Sequence, residues 1–284
     1  MASPFLKWAG GKGRLAPLIV ERAPAFRRYH EPFLGGGAVF FALCAAGNVA
    51  AARLADGNAA LIECYAAVRD EPARLIDALR RLSDAYVSRD ADGRADFYYA
   101  QRAEEPVDPV ERAARLIFLN RTCYNGLYRL NASGRFNVPH GRYANPRILD
   151  EPGLRAASAC LQGVRLVAED FASACAAAQR GDFVYLDPPY VPLSRTSSFT
   201  GYTSGDFGPA DQERLRDTFD DLTRRGVAAM LSNSEHQFVR ELYEGTGYEL
   251  ELVTMSRAIN SVGSKRAPIP ELLIDNFARA GVAR

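Results

Sequence analysis

Apolar and polar positions along this chain follow two periods in turn. Short apolar runs bounded by Gly, Pro or Asn predict buried strands at 28–33, 49–55, 164–168, 184–186 and 228–232, with two closing strands at 249–254 and 271–277. Helical spacing of apolar residues predicts helices over 14–22, 38–46, 59–69, 209–225 and 237–243, the third opened by Asn58 as its N-cap. Strand followed by helix, repeated, predicts a parallel sheet covered on both faces. The pattern breaks in the middle. Segments 72–86, 96–104 and 109–121 have helical spacing only, and 124–143 turns to Gly, Asn and alternating aromatics, the text of an extended hairpin. Residues 191–208, rich in Ser, Thr and Gly, read as a loop. The fold class is therefore α/β, a doubly wound Rossmann-like sheet with an inserted helical and hairpin unit. The sheet domain takes 1–59 and 159–284, and the insertion 60–158.

Three strand ends carry chemistry. Leu34-Gly35-Gly36-Gly37 follows the first strand and precedes a helix, so a ligand can approach backbone amides closely there. Asp56 ends the next strand, where a carboxylate can accept hydrogen bonds from a ribose or open the following helix. NAD and S-adenosyl-L-methionine both carry a ribose, so this pair alone does not choose between them. The spacing departs from GxGxxG. Asp187-Pro188-Pro189-Tyr190 ends the apolar run 183–186. Two prolines stop the ladder at once, leaving a rigid turn with a carboxylate, a free carbonyl and an aromatic ring. Two acceptors beside a flat ring suit a planar base with an exocyclic amine; a strand-ending turn with a buried Tyr is the plainer reading. Trp8 lies between Lys7 and Lys12 beside two glycines, before any core element has formed, which suits a loop folded over a cofactor and has no use in a dehydrogenase.

Charge sharpens the picture. The chain of 284 residues has a net charge of only +1, yet 113–149 holds no Asp or Glu and carries Arg115, Arg121, Arg129, Arg135, Arg142 and Arg147. Without those six, the remaining 29 basic and 34 acidic residues sum to about −5. A basic stretch on a mildly acidic body is the footprint of a polyanion site. Five scattered cysteines with no CxxC pair argue against zinc and for a reducing compartment, and the chain is long enough that no disulfide staple or metal is needed. Neither a membrane span nor a signal peptide is legible, so a cytoplasmic protein is expected.

Six motifs in order carry a resemblance: Phe5-Leu-Lys-Trp-Ala-Gly-Gly-Lys12, Glu31-Pro-Phe-Leu-Gly-Gly-Gly-Ala-Val-Phe40, Leu54-Ala-Asp-Gly-Asn58, Leu119-Asn-Arg-Thr-Cys-Tyr-Asn-Gly-Leu-Tyr-Arg129, Phe136-Asn-Val-Pro-His-Gly-Arg-Tyr143 and Asp187-Pro-Pro-Tyr190. The chain resembles, over nearly its whole length, the Dam-type (D12 class) site-specific DNA adenine-N6 methyltransferases. That resemblance implies a SAM-dependent enzyme with a target-recognition insertion acting on double-stranded DNA, with GATC as the expected site, no metal and no obligatory protein partner. It implies cofactor contacts at Trp8, Lys12, Gly35, Gly37, Asp56 and Asp187, and a cofactor-adenine site at Asp170 and Phe171, where Asp170 could equally be a helix N-cap. Catalysis falls to Asp187, Pro188 and Tyr190: carboxylate and carbonyl accept the hydrogens of a flipped adenine amine while the ring stacks on the base. DNA contacts fall to Lys7, Tyr124, Asn125, Leu127, Arg129, Pro139 and Arg142, with Arg121, Arg135 and Arg147 as phosphate contacts. His140 departs from the large apolar residue usual after Pro139, so contacts of the hairpin are expected to differ. Arg257, Lys265 and Arg266 match a second basic loop. Methylation of RNA or protein glutamine, or a silent DNA-binding module, are the competing readings; Asn in place of Asp187 is usual for the first, and a binder has no need of Asp187, Tyr190 and the glycine turn.

Overall fold

The computed structural model describes residues 2–190, 207–255 and 269–277. The expected loop 191–208 therefore lies almost wholly outside the described residues, as do Arg257, Lys265 and Arg266. The described strands form one sheet: β1 (Tyr29–Glu31), β2 (Ala52–Asp56), β3 (Arg165–Ala168), β4 (Phe183–Leu186), β5 (Ala228–Ser234), β6 (Glu249–Met255) and β7 (Ile269–Asp275), in the order β3-β2-β1-β4-β5-β7-β6. β1 to β5 pair in parallel, and β7 runs antiparallel between β5 and β6. The chain steps outward from β1 to β3, then returns to lay β4 on the other side of β1. That reversal opens a crevice at the carboxyl ends of β1 and β4, where ligands bind in open α/β sheets.

Burial explains the uninterrupted apolar text of the central strands. Phe183 and Tyr185 of β4 enter one core while Val184 and Leu186 enter the other, and Met230 of β5 parts from Ala229 and Leu231 in the same way. Side chains alternate between faces, so a strand apolar at every position must be covered on both. This is the doubly wound sheet expected from the sequence. The covering and inserted helices are α1 (Ala16–Arg22), α2 (Ala38–Ala45), α3 (Ala59–Asp70), α4 (Pro72–Val87), α5 (Ala91–Ala103), α6 (Pro109–Thr122), α7 (Glu151–Leu161), α8 (Phe171–Ala176), α9 (Pro209–Arg224) and α10 (Gln237–Tyr243). Asn58 caps α3 as expected, accepting from the Leu61 amide at 3.2 Å. Leu75, Tyr86, Tyr98 and Phe118 of the inserted helices lie in the same buried cluster as Tyr29 and Leu54 of the sheet, so the insertion is fixed on the sheet by a continuous core.

Several local expectations are corrected. Helix α7 was not among the expected elements; Asp150 caps it on the Gly153 amide, and Pro is tolerated in a first turn. α8 bears out the alternative that Asp170 is a helix N-cap: its side chain accepts from the Ala172 amide. The segment 124–143 does fold back antiparallel as expected, through the bridges Cys123 to His140 and Leu130 to Phe136 and the bonds of the Asn131 amide to Arg135 and the Asn137 amide to Arg129, but a 3₁₀ turn at Tyr124–Gly126 interrupts it and the two bridges do not join into a continuous ladder. β7 lies two residues earlier than 271–277, because the Asn276 side chain bonds the Ala229 amide (2.8 Å) and the Val227 carbonyl (3.0 Å), closing the strand. A disulfide joins Cys44 of α2 to Cys160 of α7, 116 residues apart, although no staple was expected; Cys64, Cys123 and Cys175 are free and buried. Among the described residues no helix is long and apolar enough to cross a membrane.

Candidate active site

A cavity of about 600 Å³ opens at the crevice. It is lined by Trp8 and Lys12, by the glycine turn from Gly35 to Gly37, by Asp56, by Asp170 and Phe171, and by Asp187 to Tyr190. Every position that the sequence singled out for cofactor or catalysis thus borders one space.

The glycine turn takes its shape from its neighbours. The Gly35 amide donates to Asp56 Oδ2 at 3.0 Å, and the Asn58 amide to Oδ1 at 2.9 Å, so Asp56 ties the turn to the start of α3. Burial raises the Asp56 carboxyl pKa, and the two amides oppose that rise. Gly35 and Gly37 have φ of +47° and +66°. A Cβ on Gly35 would fall 2.8 Å from the Trp8 ring, and one on Gly37 2.8 Å from the Tyr65 hydroxyl, which itself donates to the Gly35 carbonyl at 3.1 Å. Gly37→Ala is therefore predicted to destabilise the fold by about 2 kcal/mol, from left-handed backbone strain and displacement of Tyr65. Urea unfolding of the variant measures this, and an unchanged midpoint would contradict the close approach.

Asp187 stands at the end of β4 among unlike partners. Its Oδ1 accepts from Lys12 Nζ at 2.9 Å and from Ser232 Oγ at 3.1 Å, and Ser232 in turn meets the Tyr185 hydroxyl at 2.7 Å. Burial pushes the Asp187 carboxyl upward, while the Lys12 charge and hydrogen bond and the Ser232 bond hold it down. Lys12 is only 6% exposed, donates to the Gly10 carbonyl at 3.0 Å, and sits 4.3 Å over the Tyr190 ring. Next to this group, Glu31 accepts from Tyr29 at 2.9 Å, and burial raises its pKa to about 8, so it is mostly protonated at neutral pH. At the other end of the cavity Phe171 stacks on Phe33 (5.2 Å between centroids), with Phe207 edge-on and the Arg214 guanidinium 4.4 Å over the Phe171 ring. Asp170 caps α8 through the Ala172 amide at 2.9 Å and pairs with Arg214 at 2.6 Å, so its capping role is real and its carboxylate also faces the cavity group. Glu31, Phe33, Tyr128, Phe207 and Arg214 line the cavity without having been singled out. Tyr128 stacks on Trp8 at 5.2 Å and lay unremarked within a quoted motif; Arg214 carried no local signal at all.

A second surface adjoins the cavity. The Lys7 amide and carbonyl are both bound by the Asn120 side chain at 2.8 Å, which seats residue 7 against the turn at Tyr124–Gly126. Its amine lies 4.7 Å over the Tyr143 ring; burial, and secondarily Arg121, lowers its pKa. Tyr124 is 50% exposed, Leu127 37%, and Asn125, Arg129, Pro139 and Arg142 are exposed as well. The Tyr124 amide donates to Pro139 at 2.8 Å, and Asn125 takes a left-handed φ of 54°. The six arginines divide. Arg115 bonds the Gln101 and Arg102 carbonyls, and Arg121 the Phe5 carbonyl, both turned inward. Arg135 and Arg147 pair with Glu105 and Asp150. Arg129 is bonded to Asn137, and among the described residues neither it nor Arg142 has an acidic partner. His140 meets the Tyr86 hydroxyl at 2.7 Å and packs beside Tyr98, so it anchors the 124–143 segment to α4 and α5.

The comparisons with known proteins agree with this geometry. The family model of D12 class N6 adenine-specific DNA methyltransferases matches residues 8–258. The chain is 44% identical to the Type II methyltransferase M.MjaIII of Methanocaldococcus jannaschii, over 96% of this chain and 99% of that one. It is 41% identical to a Type II methyltransferase of Lactococcus lactis subsp. cremoris, over 96% and 95%, and 36% identical to the DNA adenine methylase of Escherichia coli strain K12, over 95% and 93%. A strand order that reverses between β1 and β4, a cavity joining the glycine turn to Asp187-Pro-Pro-Tyr190, and matches over nearly the whole chain lead to one conclusion: the chain belongs to the D12 class and is an adenine-specific DNA methyltransferase.

Proposed function

We propose that the protein methylates N6 of an adenine flipped out of duplex DNA, within GATC, with S-adenosyl-L-methionine as donor. Residues 1–59 and 159–284 form the catalytic domain, and 60–158 the target-recognition domain. The observation that carries this reading is the convergence on one cavity of the glycine turn, Asp56 and the Asp187-Pro-Pro-Tyr190 turn.

The residues fit that donor. The cavity volume admits a nucleoside-sized group, the Asp56 carboxylate suits a ribose, and Phe33 and Phe171 form an aromatic end suited to a purine. Bound there, the donor supplies a methyl carbon activated by positively charged sulfur. Trp8 and the turn at Gly35 and Gly37 bound one wall, Asp170 and Phe171 the far end, and Lys12 with Asp187 the near end.

The amine of adenine is a poor nucleophile because its lone pair is delocalised into the ring, and inside a duplex it cannot be reached. Asp187 and the Pro188 carbonyl accept its two hydrogens, which favours a pyramidal nitrogen with its lone pair aimed at the methyl carbon. Lys12 keeps Asp187 ionised for that purpose and covers one face of Tyr190, so the base takes the opposite face. As N6 gains a methyl it becomes positive; the Asp187 carboxylate stabilises that charge and receives the surplus proton. Tyr124 wedges beside the flipped base with Asn125 next to it, while Lys7, Leu127, Arg129 and Pro139 read base edges and Arg142 holds phosphate.

The test is to incubate the protein with labelled S-adenosyl-L-methionine and a random duplex library, then map N6-methyladenine by sequencing. Methylation confined to GATC is expected. No transfer from this donor to any DNA overturns the reading, and methylation at another site overturns its specificity alone.

A further inference from the structure

Glu271 carries no motif and stands near the start of β7, just before the apolar run Leu272-Leu273-Ile274, yet it reaches the catalytic turn. In the β5–β7 register it stands opposite Ser234, two residues along from Leu273, which stands opposite Ser232. Period two puts Glu271 and Ser232 on the same face of the sheet, the face that meets Asp187. Its Oε2 accepts from the Tyr190 hydroxyl at 2.8 Å and lies 3.8 Å from Lys12 Nζ. Glu271 is 21% exposed and Lys12 6%, so both contacts are made largely away from solvent.

We propose that Glu271 is a positioning residue for methyl transfer: by holding the Tyr190 hydroxyl and sharing Lys12 with Asp187, it fixes the ring against which the target base stacks. This rests on the roles given to Asp187 and Tyr190 above. The hydroxyl points away from the base and into the sheet, so the contact orients the ring and takes no part in bonding the substrate. The second carboxylate near Lys12 also keeps the ammonium between Asp187 and the ring face.

Single-turnover methylation, with separate titration of duplex DNA and S-adenosyl-L-methionine, tests this. Glu271→Ala is expected to slow the transfer step by roughly 10- to 100-fold, the scale of a misplaced reacting partner, with both dissociation constants within about threefold of the parent. Glu271→Gln keeps an acceptor for the hydroxyl and is expected to recover most of the rate. In a Tyr190→Phe background, Glu271→Ala is expected to cost little more, because the bond it supports is already gone. An equal loss in both backgrounds, a loss confined to either dissociation constant, or a normal rate in Glu271→Ala overturns the proposal. If circular dichroism shows Glu271→Ala unfolded, Glu271→Gln and its Tyr190→Phe double variant decide: a Gln variant as slow as Tyr190→Phe, or an additive double variant, overturns it. Asp187→Ala in the same assay separates the two levels. If that variant stays active, the underlying roles fail; if it is inactive while Glu271→Ala is normal, only the role of Glu271 fails.

Discussion

Asp187→Ala is expected to lower adenine methylation by at least about 10³-fold while the protein stays folded and still binds DNA. Among the described residues, Asp187 is the carboxylate at the end of β4 that lines the cavity beside both the glycine turn and the aromatic ring. Removing a single well-aimed polar group from such a site ordinarily costs about 10²–10³ in rate. Here the same group also carries the charge that builds on N6, so the upper end applies. Folding should survive because Asp187 sits at the rim of the crevice, 19% exposed, and Lys12 keeps the Gly10 carbonyl at 3.0 Å. Asp187→Asn separates shape from charge: it fills the same volume but turns an amide toward the substrate amine, and it is expected to be nearly as inactive. The measurement is single-turnover transfer of labelled methyl groups beside far-UV circular dichroism. Substantial methylation by a folded Asp187→Ala protein would sink the assignment.

Lys12→Met should leave activity dependent on alkaline pH. Burial raises the Asp187 carboxyl, and the Lys12 charge and hydrogen bond are the leading opposing causes. An opposite charge within about 4–6 Å ordinarily moves a carboxyl by roughly 1–3 pH units. The sign follows directly. The ionised carboxylate is the active form, so activity is lost as pH falls through its pKa. Without Lys12 that pKa rises, and the acid limb of the rate profile moves to higher pH. On the acid limb the rate at a given pH is expected to fall by roughly 10-fold or more, recovering as the pH is raised. If Lys12 served only to hold the methyl donor, the acid limb would stay in place and only the half-saturating donor concentration would rise. A pH profile of single-turnover rates at saturating donor tells the two apart.

Much of this site was legible because its parts are local. Gly35 to Gly37, Asp56 with Asn58, and Asp187 to Tyr190 each sit where a strand stops. Strand ends are marked by residues with backbone consequences: Gly for left-handed φ, Pro for a missing donor, Asn for a cap. The helices α3, α4, α6 and α9 were legible from apolar spacing. Legibility failed where local text pointed two ways. Helix α7 went unmarked because Pro152 and Gly153 stand in its first turn, where a cap and a Pro serve a helix as well as they serve a turn. The stretch after Tyr124 alternates as a hairpin does and folds back as one between Arg129 and Asn137, but the 3₁₀ turn at Tyr124–Gly126 breaks the pairing into two separate bridges. The stretch 113–149, with six arginines and no acid, reads as one basic surface. The fold turns Arg115 and Arg121 inward onto carbonyls, which sequence composition cannot distinguish from exposure.

By itself the sequence determined the βα order, the turns that end β1, β2 and β4, the residues those turns present, and the family to which their order points. These are consequences of short-range backbone chemistry, so a single chain of letters carries them. Only the tertiary structure decided which distant residues meet. Lys12 seats on Asp187, Arg214 on Phe171, Lys7 on the turn at Tyr124–Gly126, Cys44 on Cys160, and Glu271 on Tyr190. Each of these pairs is joined by strand register or helix packing across many residues. Neither partner carries a local mark of the other, because the contact is made by the fold and not by the neighbouring chain.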